Sequence, residues 1–292
     1  MKVMLVGANG QLGRELISTQ AEWAELLSFG SDTLDIGDKE QLRTAISELR
    51  PDVLINAAAY TAVDKAEAER EKAYKVNVSG AKNLAELCKE FNIRLIHIST
   101  DFVFDGTASR PYQEDAASNP INYYGKTKLL GEQAIAEILP KKHLIIRTAW
   151  LYSSYGNNFV KTMLRLMNEK DELKIVADQV GTPTYAKKLA SLIWQCCQRS
   201  ELTGIYHWSD AGVASWYDFA MAVQEEALER KLLNKNIPIQ AVSTREFPTP
   251  AKRPSYSVLD KGKMVNALAI KPVHWRVALR QMLDDLKVKH NE

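Results

Sequence analysis

Tyr124 and Lys128 stand one helical turn apart in the run Asn122-Tyr-Tyr-Gly-Lys-Thr-Lys128. On a helix this spacing puts both side chains on one face. A lysine ammonium beside a phenol favours the phenolate, so the pair predicts a Tyr124 pKa below the usual value of about 10. Such a tyrosine is a proton donor to a carbonyl oxygen near neutral pH. A glycine pattern, Gly7-Ala-Asn-Gly10-Gln-Leu-Gly13, follows the apolar run Lys2-Val-Met-Leu-Val6. Between a strand and a helix it reads as a dinucleotide turn. Gly7 turns the chain, Gly10 admits a pyrophosphate, and Gly13 lets the helix pack on the strand. The positive end of that helix then faces the phosphates. The two signals together predict dinucleotide-dependent carbonyl or alcohol redox chemistry.

Other positions fill in the site. The second strand ends Ser28-Phe-Gly-Ser31, where a carboxylate would bind the ribose 2′-OH of NAD and repel the extra phosphate of NADP. Gly30 and Ser31 are neutral, with Asp32 close by. Arg14 is either a contact for a 2′-phosphate or a solvated helix charge. NADPH is the expected cofactor, with NADH also usable. Asn56-Ala-Ala-Ala-Tyr60 ends the third strand with small residues across which a ribose or nicotinamide can lie. Ser99-Thr-Asp-Phe-Val-Phe-Asp-Gly106 ends the fourth. Thr100 and Asp101 project there, and the Thr100 hydroxyl is either a bond to the substrate carbonyl or a turn cap. His97, inside an apolar strand, reads as a hydrogen-bonded core histidine before a catalytic one. Trp150 either packs on a sugar ring or sits in the core.

These residues need a scaffold. In the first half, apolar strand-like runs at 2–6, 26–29, 53–56, 94–98 and 143–147 alternate with helical patterns at 12–20, 39–49, 66–91 and 123–138. Continuous apolar strands separated by helices imply a parallel sheet covered on both faces. The expected fold is α/β: a doubly wound, Rossmann-like sheet with a smaller C-terminal substrate lobe. In the second half, helices are expected at 159–168, 186–198 and 275–288, with strands at 173–176 and 204–208. Ser215 reads as the N-cap of a helix reaching about Arg230. The three prolines of Phe247-Pro-Thr-Pro-Ala-Lys-Arg-Pro254 predict an extended surface loop. The expected division is 1–150 plus about 185–215 for the dinucleotide and 151–184 plus 216–292 for the substrate.

Bulk properties remove other classes. Lysines and arginines number 38 against 36 acidic residues, a net charge of +2, which gives no reason to expect nucleic acid or a membrane surface. No apolar run reaches the roughly 18 residues of a membrane span. The N-terminus does not read as a signal peptide, and the three cysteines read as small buried residues, so a cytoplasmic setting is expected.

The glycine pattern, Tyr124–Lys128 and Val76-Asn-Val-Ser-Gly-Ala-Lys-Asn-Leu84 together resemble the extended short-chain dehydrogenase/reductase superfamily. Longer strings, among them Asn56-Ala-Ala-Ala-Tyr-Thr-Ala-Val-Asp64, Asp178-Gln-Val-Gly-Thr-Pro-Thr184 and Arg253-Pro-Ser-Tyr-Ser-Val-Leu-Asp260, resemble the dTDP-4-dehydrorhamnose reductase family nearly end to end. The resemblance implies reduction of the 4-keto group of dTDP-4-dehydro-L-rhamnose. It implies Tyr124 as proton donor, Lys128 as the residue on the nicotinamide ribose, and Thr100 on the reacting oxygen. Thr100, Asp101 and Trp150 would line the sugar-nucleotide site. Gly10, Gln11 and Leu12 would touch the pyrophosphate, Asp35 and Ile36 would lie near the adenine, and Ala57, Ala58, Ala59 and Tyr60 would flank the ribose. Phe102 stands where tyrosine is common in the family. Some members form homodimers around Mg²⁺, and Glu15 matches one ligand. Two rival readings are another nucleotide-sugar epimerase, dehydratase or reductase, and a non-catalytic regulatory subunit like the β subunit of methionine adenosyltransferase. Asp101-Phe102 is not the Asp-Glu pair of the dehydratases, and an intact Thr100, Tyr124 and Lys128 favours an enzyme.

Overall fold

The structure is a computed structural model and describes residues 1–291. The first half runs β1 (Lys2–Val6), α1 (Gln11–Ser18), β2 (Glu25–Phe29), α2 (Lys39–Leu49), β3 (Val53–Asn56), α3 (Val63–Ala66), α4 (Arg70–Tyr74), α5 (Ala81–Glu90), β4 (Arg94–Thr100), α6 (Tyr123–Ile138) and β5 (His143–Thr148). The second runs β6 (Leu151–Tyr152), α7 (Phe159–Glu169), β7 (Leu173–Val176), β8 (Val180–Gly181), β9 (Thr184–Tyr185), α8 (Ala186–Cys197), β10 (Gly204–His207), β11 (Ala214–Ser215), α9 (Trp216–Glu229), β12 (Ile239–Val242), α10 (Gly262–Leu268) and α11 (Trp275–Asn291).

Six strands form one sheet in the order β10-β5-β4-β3-β1-β2, every neighbour parallel. The strand order reverses between β1 and β3, and a crevice opens at such a switch point beyond the carboxyl ends of the strands. The strand interiors are apolar because both faces are covered. Leu16, Leu189 and Ile193 pack on one face, and Leu42, Leu84 and Ile135 on the other. A third core joins α7, α9 and α11 around Met163, Phe219 and Leu279. The expected doubly wound α/β fold is therefore present.

The helix expected over 66–91 is broken. After α4 the chain widens into a π-helical stretch, Lys75–Gly80, before α5 begins. Asn77, within this stretch, hydrogen-bonds Tyr60 and Thr127 through its side-chain amide. A helix-period pattern does not register one extra residue per turn. The proline loop also departs from a plain surface loop. Phe247 is exposed, but Ala251 and Pro254 are buried, and Asn122 Nδ2 donates to the Lys252 carbonyl at 2.8 Å. Strand β12, parallel to β7, and helix α10 had no expectation from the sequence.

Candidate active site

The crevice at the switch point is a cleft of about 480 Å³. It brings together Gly10, Gln11, Leu12, Ala57, Ala59, Thr100, Asp101, Tyr124, Lys128 and Trp150 from the expected site. They come from the carboxyl ends of β1, β3, β4 and β5 and from the starts of α1 and α6. Gly7 has φ of 85°, and a Cβ there would lie 2.4 Å from the Ala58 nitrogen. A Cβ on Gly13 would meet the Gly7 carbonyl at 2.2 Å, so α1 can pack this close to β1 only with glycine. Ala58 and Tyr60 stand beside the cleft in the loop after β3. Asn77 clamps that loop: it accepts from the Tyr60 N–H at 2.9 Å and donates to the Tyr60 carbonyl at 3.1 Å and to Thr127 Oγ1 at 3.0 Å. The π-helical stretch thus ties the ribose-side loop to α6.

Four expected residues lie away from the cleft. Arg14 is exposed and has no side-chain hydrogen bond or ion pair among the described residues. Ser31 is exposed in the turn after β2. Asp35 pairs with Lys75 at 2.7 Å and accepts from the Gly37 N–H, which hold its carboxyl below the ordinary range. Ile36 is buried against Gly80. Between Ser31 and the glycine turn, Asp32 accepts from Asn9 Nδ2 at 2.9 Å.

Asn122 caps α6 by accepting from the Gly125 N–H at 2.8 Å, which fixes where Tyr124 enters the site. Tyr124 is 8% exposed and its ring stands edge-on to Phe102, centroids 5.8 Å apart. Burial pushes its hydroxyl up to about 12, against a smaller opposing effect of the Thr100 hydroxyl. The lowered value expected from the Tyr124–Lys128 spacing is therefore not found. The reason is direction. Lys128 Nζ donates to the Ile98 carbonyl at 2.7 Å and lies 3.2 Å from His97 Nε2. Burial lowers Lys128 to about 8, with Glu132 opposing. Glu132 is itself held by Arg147 through bonds of 2.7, 3.0 and 3.2 Å, both residues being almost fully buried. His97 is the hydrogen-bonded core histidine expected, with Asn56 on its other side at 2.9 Å.

Thr100 Oγ1 donates to Asp101 Oδ1 at 3.1 Å and accepts from the Phe102 N–H at 3.2 Å, so the cap reading of Thr100 holds while its oxygen also lines the cleft. Burial raises Asp101 to about 6. Trp150 is partly buried against the third core. It borders the cleft, and its ring stacks on Trp216 with centroids 3.5 Å apart. Asn158, Trp216 and Arg253, which carry no role in the sequence analysis, also line the cleft. Asn158 Nδ2 donates to Gln11 Oε1 at 3.0 Å, joining α7 to the glycine turn. The quoted string that begins at Arg253 was the one signal for that residue.

Glu15, expected as a metal ligand, is turned inward. It is 1% exposed and accepts from Ser153 Oγ at 2.5 Å. Among the described residues no three acidic, histidine or cysteine side chains gather where a metal ion would fit. Magnesium therefore finds no support in this chain's geometry. The three cysteines are buried and free, and burial pushes their thiols up. No helix among the described residues is long and apolar enough to cross a membrane.

The site can be set beside known proteins. A family profile described as the RmlD substrate binding domain matches residues 1–288. The dTDP-4-dehydrorhamnose reductase of Aggregatibacter actinomycetemcomitans is 43% identical, with 96% of this chain and 98% of that protein covered. The reductase of the same name from Escherichia coli K12 is 40% identical over 98% of each. A crystal structure of dTDP-4-dehydrorhamnose reductase from Bacillus anthracis in complex with NADP superposes with a TM-score of 0.92 at 39% identity, covering 97% of this chain and 99% of that one. Similarity of this extent spans sheet, cleft and C-terminal lobe alike, and the chain belongs to the dTDP-4-dehydrorhamnose reductase family.

Proposed function

We propose that this protein reduces the 4-keto group of dTDP-4-dehydro-L-rhamnose to give dTDP-L-rhamnose, with NADPH as the preferred cofactor. One observation carries the reading: Thr100, Tyr124 and Lys128 share a cleft with the glycine turn in a chain that matches reductases over its length. The glycine cradle, which a Cβ would fill, fits a pyrophosphate. Gly7, Gly10, Gln11, Leu12 and Gly13 hold it; Ala57, Ala58, Ala59, Tyr60 and Lys128 hold the ribose and nicotinamide side; Arg14, Ser31, Asp35 and Ile36 face the adenosine end. The bound dihydronicotinamide supplies the hydride. NADP in the Bacillus anthracis relative supports the phosphorylated cofactor.

Tyr124 is the proton donor. With its pKa up at about 12 it stays protonated at neutral pH, the state a donor needs. The Thr100 hydroxyl, turning its one proton from Asp101 Oδ1 to the substrate oxygen, stabilises the negative charge that grows there. Lys128, once charged, stabilises the phenolate left behind. Asp101 and Trp150 contact the sugar nucleotide. Tyr124, Thr100, Lys128 and Asp101 are buried, which strengthens each electrostatic contact they make. In this reading residues 1–150 with 185–215 carry the cofactor, and 151–184 with 216–292 close over the substrate.

The test is NADPH oxidation against enzymatically prepared dTDP-4-dehydrorhamnose, with other 4-keto sugar nucleotides as controls. Stoichiometric oxidation with dTDP-L-rhamnose as product is expected. No turnover together with tight binding to a partner enzyme would replace this reading with that of a regulatory subunit.

A further inference from the structure

Lys128 is docked against a buried imidazole, and the hydrogen bonds around that ring determine where its proton sits. His97 Nδ1 lies 2.9 Å from Asn56 Nδ2, and His97 Nε2 lies 3.2 Å from Lys128 Nζ. The orientation of the Asn56 amide is fixed by the backbone N–H of Ala58, which reaches Asn56 Oδ1 at 3.0 Å. A backbone N–H only donates, so Asn56 must present its NH₂ to the ring, and His97 Nδ1 must accept. A neutral imidazole that accepts at Nδ1 carries its proton on Nε2. An imidazolium would aim a proton from each nitrogen at another donor, and burial keeps the ring well below its ordinary pKa.

The Nε2–H therefore points at Lys128 Nζ. An ammonium has no lone pair to receive it, and a neutral amine has one. The network closes without conflict only one way: Asn56 donates to His97, His97 to Lys128, and Lys128 to the Ile98 carbonyl. We propose that His97 is a positioning residue for Lys128, which holds the neutral amine against the sheet and lets go of the ammonium, so that Lys128 Nζ swings toward the cofactor and Tyr124 only in its charged form. The step is the uptake of one proton at Nζ with loss of the bond from His97 Nε2–H. It rests on the reading that Lys128 serves the cofactor and Tyr124.

The other titratable groups around this network are Glu132 on α6, already paired with Arg147 of β5, His143 on β5, and Tyr124 with Asp101 at the cleft. Glu132 favours the ammonium and burial disfavours it. The bond from His97 adds to the side of the neutral amine.

Two measurements test this. In ligand-free protein labelled with ¹⁵N at histidine, long-range ¹H–¹⁵N correlation at pH of about 9, above the Lys128 titration, should show His97 protonated on Nε2 and bare on Nδ1. A proton on Nδ1 would overturn the proposal. This arm needs no substrate, so it separates failure of the network from failure of the reductase reading. The second measurement is the pH profile of kcat. His97→Phe removes the donor to the amine, and the alkaline limb should move up by about one pH unit, roughly tenfold in proton affinity. A limb that stays in place while kcat falls equally at every pH would mean that His97 only packs. If His97→Phe does not fold, Asn56→Asp serves instead. Its carboxylate draws the proton to Nδ1 and leaves Nε2 to accept from the ammonium, so the limb should rise and the spectrum should show Nδ1–H. A wild-type limb with Nε2–H in that variant would sink the idea.

Discussion

Arg253 and Asp64 form a bidentate ion pair, Nη2 to Oδ2 at 2.7 Å and Nη1 to Oδ1 at 3.0 Å, across 189 residues of chain. The Ala251 N–H joins the same carboxylate at 3.2 Å, so the proline loop is strapped to α3 at the cleft. Arg253 and Lys128 are the two basic residues lining that cleft among the described residues. We predict that Arg253 contacts the anionic sugar nucleotide there. A charge-assisted bond contributes about 1.5–3 kcal/mol, so Arg253→Ala should raise KM for the substrate roughly tenfold or more. The cofactor KM should stay nearly constant. An unchanged substrate KM would remove Arg253 from the binding site.

Tyr124→Phe keeps the ring against Phe102 and deletes the proton donor. General acid catalysis is worth about 10²–10⁴-fold, and kcat should fall by that factor with cofactor affinity nearly unchanged. Stopped-flow and steady-state rates check this; wild-type kcat would end the assignment.

Lys128→Met should lose turnover and also weaken cofactor binding. In the wild type, Lys128 is held down to about 8 by burial, so the charged form to which the proposed mechanism assigns the work is lost as pH rises through that value. The turnover number should therefore decline on the alkaline side of about 8, well before Tyr124 titrates near 12. A flat profile up to pH of about 10 would contradict an active ammonium.

Cofactor choice turns on Arg14 and Asp32. Arg14 is exposed, and Asp32 is held by Asn9. NADPH should be accepted at least as well as NADH, and Arg14→Ala should lower the NADPH preference while leaving NADH kinetics almost untouched. The ratio of kcat/KM values decides it. A clear NADH preference in the wild type would mean that the Asp32 carboxylate governs the pocket.

Asp210 provides a pH test of stability. It is 1% exposed, accepts from the Tyr185 N–H at 2.9 Å through Oδ2, and its Oδ1 has no partner among the described residues. Burial pushes it up to about 7. A folded pKa above the unfolded one makes its stability contribution complete at acid pH and lost as pH rises through about 7. The loss is at most about 4 kcal/mol. Asp210→Asn should therefore melt higher than the wild type at pH of about 8, and by much less at pH of about 5. An equal difference in Tm at both values would refute the burial argument.

The sequence by itself determined the sheet, the glycine turn and the helix that carries Tyr124 and Lys128. β1, β3, α2 and α6 begin and end where the apolar runs, caps and prolines put them, because those signals act over a few residues. Tertiary structure decided what local pattern does not encode. Spacing put Tyr124 and Lys128 on one face of α6, but the Ile98 carbonyl and His97, on a strand 30 residues earlier, decided where the Lys128 amine points. The π-helical stretch carries Asn77, which reaches Tyr60 and Thr127, contacts 17 and 50 residues away in the chain that no local pattern encodes. Glu15 became a buried partner of Ser153 because the second lobe folds back onto α1. Arg253 entered the cleft for the same reason: its place was set by Asp64, and no periodicity near Arg253 carries that information.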